Sequence, residues 1–440
     1  MNIQTVTIVG ANGTIGSKIG GLIAAFSNAR VFMMARTKES AEIGIQKAMA
    51  SVRSSVIEPK FVSCTLDQAD HVFSESDWIF ESVMEDFDVK KSINTLINRF
   101  AAPGCIVTTG TSGMSVNSLA ESFSPDIRKR YWGTHFFNPP LKMTACEVIQ
   151  TKFTDKNVAA AFQTFLTKTL HRTIVPINSD RAAFAGNYVG FRLFEMAVNI
   201  CEQNADRGGI DYVDSILGNV AGNTMAPLTT LDYVGLDVYQ SIVENIHDRI
   251  FNTPAKRISG FVRQLIHDGH TGVKKQKGVY DYSSTSGDSS RRVWDLRDSA
   301  YRPVKIYSFQ LTKMVKKLVR YGRYTQVMSY LISQKSNEAE LVLEYILSYI
   351  VFSFELVPEV VSDIEHVNSV MMNGFAWAPP TFWLKTFLAH QKMDLFIDMC
   401  AKFNILLSKE VLAAMRDYLR TADDKSDLGY RYFTVGGMEE

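Results

Sequence analysis

The first 26 residues constrain the fold more than any other stretch. Residues 5–9 form a short apolar run that passes directly into Gly10-Ala11-Asn12-Gly13-Thr14-Ile15-Gly16 and then into a helical pattern. A strand that turns through glycines into a helix opens a βα unit. Glycine admits positive φ and lets another group approach the backbone closely, and the N-terminus of the following helix offers free N–H groups to an anion. Glycines 10, 13 and 16, spaced GxxGxxG in this setting, predict a dinucleotide site. Gly10, Asn12, Gly13, Thr14, Ile15 and Gly16 would surround the phosphates.

The alternation continues. Apolar runs at VFMM (31–34), DWIFESV (77–83), CIVTTGTSG (105–113) and YWGTHFF (131–137) are separated by helical stretches, which predicts βαβ units and a parallel sheet. Residues 159–170 read as a helix and TIVPIN (173–178) as the last strand. At the end of the second strand, NAD enzymes usually place an acid against the ribose 2′-hydroxyl. This chain reads Met33-Met34-Ala35-Arg36-Thr37-Lys38 and has no acid until Glu39. An arginine here suits a 2′-phosphate, so the cofactor is expected to be NAD or NADP, with NADP favoured.

Composition narrows the function classes. Forty-seven Lys plus Arg against 46 Asp plus Glu give a net charge of +1 without a block of one sign, which predicts neither a nucleic-acid surface nor a polybasic membrane face. The five cysteines are dispersed and form no CxxC pair, so neither a disulfide framework nor a metal site is expected. MNIQTVTIVG leaves no room for a signal peptide, and no apolar run reaches membrane-spanning length. Together these predict a cytoplasmic protein.

From about residue 150 helix-period segments take over. Residues 283–290, SSTSGDSS, read as a flexible polar linker. Across it a repeat is visible. IDYVDSIL (210–217) resembles IEHVNSVM (364–371), and each is followed by a Gly-containing loop and an Ala-Pro pair, 226–227 and 378–379. The expected fold class is α/β: a Rossmann-type domain over 1–178, a helical domain over 179–282, a linker over 283–300, and a second, degenerate copy of the helical domain over 301–440.

Gly133-Thr134-His135-Phe136-Phe137-Asn138-Pro139-Pro140, with Glu147 twelve positions after the histidine, resembles the hallmark of the L-3-hydroxyacyl-CoA dehydrogenase family. DWIFESVMEDFDVKK (77–91), TSGMSVNSLAE (111–121), MAPLTTLDYVGLDV (225–238) and GVKKQKGVYDY (272–282) are similar to further motifs of that family, in its order. The resemblance covers nearly all of residues 5–282. It implies NAD(P)-dependent hydride transfer between a 3-hydroxyacyl thioester and its 3-keto form. It assigns His135, Glu147, Ser112 and Asn187 to catalysis, and places Glu85, Lys90 and Gly110 beside the cofactor.

These assignments make chemical sense. Oxidation of a secondary alcohol needs a base for the hydroxyl proton, and a histidine serves as base in one direction and acid in the other. A carboxylate on its second ring nitrogen fixes the tautomer, the role expected of Glu147. Ser112 and Asn187 would hydrogen-bond the reacting oxygen.

The sequence also departs from the family. Gly110 replaces an asparagine, Ala182-Ala183 replace Pro-Gly, Tyr188 replaces arginine, and Lys277 replaces a glycine. The stretch between Arg36 and Asp77 is shorter than the family's coenzyme A-gripping tail. The alternatives are therefore a dehydrogenase of a carrier-bound or free hydroxy acid, or a catalytically silent nucleotide-binding relative. Family members with one helical domain pair through it. Duplication, as in the larger fatty-acid oxidation members, would let this chain act as a monomer, although a homodimer stays open.

Overall fold

In the computed structural model, residues 1–251, 258–283 and 291–421 are described. The chain divides into two compact units. The first comprises residues 1–185 together with 359–362 and 373–375; the second holds the remainder.

An eight-stranded sheet organises the first unit. Its strands are β1 (Thr5–Val9), β2 (Arg30–Ala35), β3 (Phe61–Thr65), β4 (Trp78–Glu81), β5 (Ile106–Thr109), β6 (Tyr131–Phe136), β7 (Ala145–Ile149) and β8 (Thr173–Ile177), in the order β3-β2-β1-β4-β5-β6-β7-β8. All neighbours are parallel except β6 and β7. The expected strands are present. Two others, β3 and β7, lay outside the apolar runs picked from sequence: β3 is a half-buried edge strand, and β7 carries Glu147 in its middle.

Helix α1 (Thr14–Phe26) presents Ile19, Leu22 and Ile23 to a core that includes Val6, Ile8, Trp78, Phe80 and Phe162. The indole N–H of Trp78 donates to Thr108 Oγ1 at 2.9 Å, so even this deep ring keeps a polar partner. Helices α2 (Lys38–Val52) and α3 (Phe87–Phe100) complete the parts of this unit that bear on the site. Both have side-chain N-caps, Thr37 and Asp86, which satisfy N–H groups that a helix start leaves open.

The second unit is helical. It contains α4 (Gly186–Gln203), α5 (Ile210–Leu217), α6 (Pro227–Val234), α7 (Leu236–Ile246), α8 (Asn337–Phe354), α9 (Ile364–Val370) and α10 (Pro380–Leu388), among others. Asn223 and Trp377 form an antiparallel bridge, and Ala378 N donates to the Gly222 carbonyl at 2.9 Å. These pairs join the two Ala-Pro loops seen as a repeat in the sequence.

The expected linker over 283–300 is corrected in part. Residues 284–290 lie outside the described residues, but Arg292–Asp295 (β10) and Ala300–Pro303 (β11) form a hairpin whose first strand pairs with Tyr280–Asp281 (β9). Val293 and Trp294 are buried, and Asp295 Oδ1 accepts the N–H groups of Arg297 and Asp298 to close the turn. Charged neighbours masked a strand only four residues long.

Asp232 on α6 anchors the end of the GVYDY segment. Its carboxylate accepts Val279 N and Tyr280 N, both at 2.8 Å, and the Tyr282 hydroxyl at 3.1 Å. Burial pushes this carboxyl up to about 7 despite those donors. A folded-state value above the unfolded one means that Asp232 favours folding when protonated. That contribution is complete below about pH 4 and is lost as pH rises through 7. Denaturant titrations should show stability falling from pH 5 to pH 8, and Asp232→Asn should flatten that slope. The variant should also cost about 1–3 kcal/mol, because its amide nitrogen faces a backbone donor. An unaltered slope in the variant would contradict this assignment.

Candidate active site

The glycine turn is built so that no side chain fits. Gly10 has φ +86°, and a Cβ on it would lie 2.5 Å from the Ser82 carbonyl oxygen; one on Gly16 would lie 2.5 Å from the Gly10 carbonyl oxygen. Gly10 N and Ala11 N both donate to Met34 O at 3.0 Å, tying the turn to β2. No side chain caps α1 at Gly13, so its first N–H groups face outward at the end of the sheet where a dinucleotide pyrophosphate binds. Asn12 and Thr14 are exposed beside it, and Ile15 packs on the core. The residues present therefore fit the expected cofactor. Arg36 is exposed directly after β2. Lys18, one turn into α1, donates to Asn138 Oδ1 at 2.6 Å, and burial lowers its pKa. Sequence reasoning passed over this lysine, since nothing in its spacing marks it.

A buried charge cluster closes the next strand ends. Glu81, at the end of β4, accepts Lys90 Nζ at 2.9 Å, Thr109 Oγ1 at 2.6 Å and Val83 N at 2.7 Å. Glu81 and Lys90 are both almost fully buried, so each depends on the other for its charge to be tolerated. Lys90 also lies 3.4 Å from Glu85. Glu85 Oε1 accepts the hydroxyl of Thr111 at 2.5 Å, Ser112 N at 2.8 Å and Gly113 N at 3.2 Å. Glu85 thus fixes the backbone of the loop that carries half-buried Ser112. Gly110 starts this loop because a Cβ there would lie 2.8 Å from the Phe80 ring, which explains the glycine where the family carries asparagine.

His135 and Glu147 face each other across the β6–β7 antiparallel pair, as direct partners in its register. His135 Nδ1 and Glu147 Oε2 are 2.6 Å apart. The other carboxylate oxygen of Glu147 accepts Ala185 N at 3.0 Å. Glu147 is fully buried. With Nδ1 occupied, Nε2 is the ring atom left for proton transfer. The imidazole contacts Phe137, edge-on at 4.8 Å between centroids, and Phe184, at 5.7 Å.

The first unit thus gathers the glycine turn, Glu85, Lys90, Gly110, Ser112, His135 and Glu147. Asn187 lies in the first turn of α4, in the second unit. In that unit Tyr188 donates to Glu355 at 2.8 Å and accepts from Arg192, while Lys277 lies 3.9 Å from Asp281. These departures from the family pattern are satisfied within the fold.

Ala183 and Phe184 have φ of +65° and +47°, which brings Ala185 N to Glu147. The family's glycine at position 183 would adopt this backbone without strain, whereas alanine pays about 1–2 kcal/mol there. Ala183→Gly should therefore raise stability by about 0.5–1 kcal/mol, net of its unfolded-state entropy, in thermal or denaturant unfolding. A loss of stability would contradict the strain argument.

Comparisons with known proteins agree with this layout. The family model "3-hydroxyacyl-CoA dehydrogenase, NAD binding domain" matches residues 5–180, and "3-hydroxyacyl-CoA dehydrogenase, C-terminal domain" matches 184–282. A probable 3-hydroxyacyl-CoA dehydrogenase of Bacillus subtilis is 29% identical over 310 residues, covering 69% of this chain and 38% of its own. A putative fatty acid oxidation complex trifunctional enzyme of Rickettsia prowazekii is 24% identical over 443 residues, covering 96% of this chain and 58% of its own. The chain spans less than two thirds of either relative. The crystal structure of 3-hydroxybutyryl-CoA dehydrogenase from Escherichia coli K12 shares the fold, with a TM-score of 0.68 over 95% of this chain and 99% of that one at 17% identity.

Proposed function

The chain belongs to the 3-hydroxyacyl-CoA dehydrogenase family, and from that premise we propose that it interconverts a 3-hydroxyacyl thioester and its 3-ketoacyl form. The observation that carries this reading is the buried His135–Glu147 pair, on the same sheet as a glycine turn shaped for a dinucleotide. A nicotinamide cofactor held at this turn would supply or accept the hydride. His135 Nε2 takes the hydroxyl proton in oxidation and returns it in reduction, while Glu147 holds Nδ1–H and stabilises the imidazolium. Ser112 hydrogen-bonds the reacting oxygen, and the family motif assigns the same role to Asn187. Gly10, Gly13 and Gly16, with the neighbouring Asn12, Thr14 and Ile15, would hold its phosphates. Lys90 and Glu85 fix the loop beside them.

The NAD-binding domain supports NAD as cofactor, and exposed Arg36 at the end of β2 extends this to NADP. A coenzyme A thioester is the first substrate class to test. Only residues 53–60 separate α2 from β3, which favours a carrier-bound or free hydroxy acid as the second.

The helical copies support a monomer. Asn223 and Trp377, which pair in the bridge, are separated by the same 154-residue offset as α5 and α9, so a loop faces its own repeat equivalent, as a local two-fold relation requires. Helices α4 and α8 also pack on each other. Five buried free cysteines suit a reducing cytoplasm, and no helix among the described residues is long and apolar enough to cross a membrane.

Acetoacetyl-CoA should be reduced with NADH and with NADPH, followed by absorbance. His135→Ala should abolish turnover while cofactor binding persists, and Glu147→Gln should lower kcat by about 10²–10⁴. Turnover retained by His135→Ala would overturn the assignment. Arg36→Ala should raise KM for NADPH about tenfold and leave NADH unaffected. Light scattering should return one chain per particle.

A further inference from the structure

The family match ends at residue 282, yet residues 373–375 belong to the unit that carries His135. Asn373 meets Thr144 side chain to side chain at 3.3 Å, just before β7. Gly374 is buried against Phe137: a Cβ on it would lie 2.9, 3.0 and 3.1 Å from three atoms of that ring. Phe375 packs on the same ring at 5.7 Å between centroids. Phe137 in turn stands edge-on to the His135 imidazole. One aromatic ring is therefore held between this distant tripeptide and the histidine.

We propose that Gly374 and Phe375 are positioning residues for His135, acting through Phe137. Glu147 restrains the imidazole through one atom, Nδ1, so rocking about that bond is limited only by the rings packed on it, Phe137 and Phe184. Phe137 limits the rocking, and it does so only while its own position is fixed. Gly374 lets the tripeptide approach to van der Waals contact, and Phe375 braces the ring. A tripeptide far beyond the family match, yet part of the first unit, thus sets the angle at which Nε2 is presented. An error of even 1 Å in such a group costs up to about 10² in rate.

The effect on turnover rests on the dehydrogenase reading above; the packing chain itself does not. In the full-length protein, Gly374→Ala should lower kcat about tenfold, with KM for cofactor and the melting temperature little changed. Phe137→Leu removes the ring that the new methyl strikes. The double variant Phe137→Leu/Gly374→Ala should therefore recover to the activity of Phe137→Leu alone. Phe375→Leu, which overpacks nothing, should lower kcat about two- to threefold and covers the case in which Gly374→Ala does not fold. Histidine ring NMR gives a readout independent of turnover. The His135 signal, identified by its absence in His135→Gln, should shift in Gly374→Ala or Phe375→Leu, while that of His247 stays in place. Wild-type kcat in Gly374→Ala, a double variant less active than Phe137→Leu alone, or an unmoved His135 signal would each overturn the proposal. An unaltered chain that turns over no substrate while the His135 signal still shifts would instead fail the dehydrogenase reading and leave the positioning intact.

Discussion

The antiparallel pairing of β6 with β7 is the constraint on which the site depends. In an otherwise parallel sheet it brings the chain straight back beside itself and sets Glu147 directly opposite His135. A fully buried carboxylate is costly without partners, and Glu147 has His135 Nδ1 on one oxygen and Ala185 N–H on the other. The second contact reaches the end of the first unit's main segment, where two residues take left-handed backbone to deliver it. Strand register, the turn at 183–185 and the orientation of the imidazole are thus a single arrangement.

The same logic governs the cofactor side. Glu81 and Lys90 neutralise each other in the interior, and Glu85 extends the cluster to the backbone of the Ser112 loop. Phe80 then decides that this loop must begin with glycine. A loop that differs from the family at Gly110 is still tied down, by the Glu85 carboxylate on its backbone.

Much of this was legible in the sequence. The glycine turn and the alternating apolar runs pointed to the Rossmann-type half because they depend on local spacing, whereas the pairing of His135 with Glu147 was implied by the resemblance of the His135 motif to a known family. What stayed hidden depends on pairing between distant segments. Strand β7 breaks the apolar pattern with Glu147, a buried acid whose partners, His135 and Ala185 N–H, come from other segments. The hairpin of Arg292–Asp295 and Ala300–Pro303 is too short and too charged to announce itself. Lys18 and Gly374 have no periodicity that marks them, and their partners, Asn138 and Phe137, lie more than a hundred residues away. Asn187 was read from a local motif, and the fold carries it on a different compact unit from His135.

The central claim is that Glu147 fixes the imidazole with its proton on Nδ1 and leaves Nε2 to exchange protons with the substrate. Nitrogen-15 NMR of the histidine rings tests it most directly, with the His135 signals assigned by His135→Gln. In the neutral ring, Nδ1 should carry the proton and Nε2 should give the shift of a bare nitrogen, and Glu147→Gln should disturb that preference. A ring protonated on Nε2 in the unaltered protein would contradict the account, because the atom assigned to take the substrate proton would already hold one.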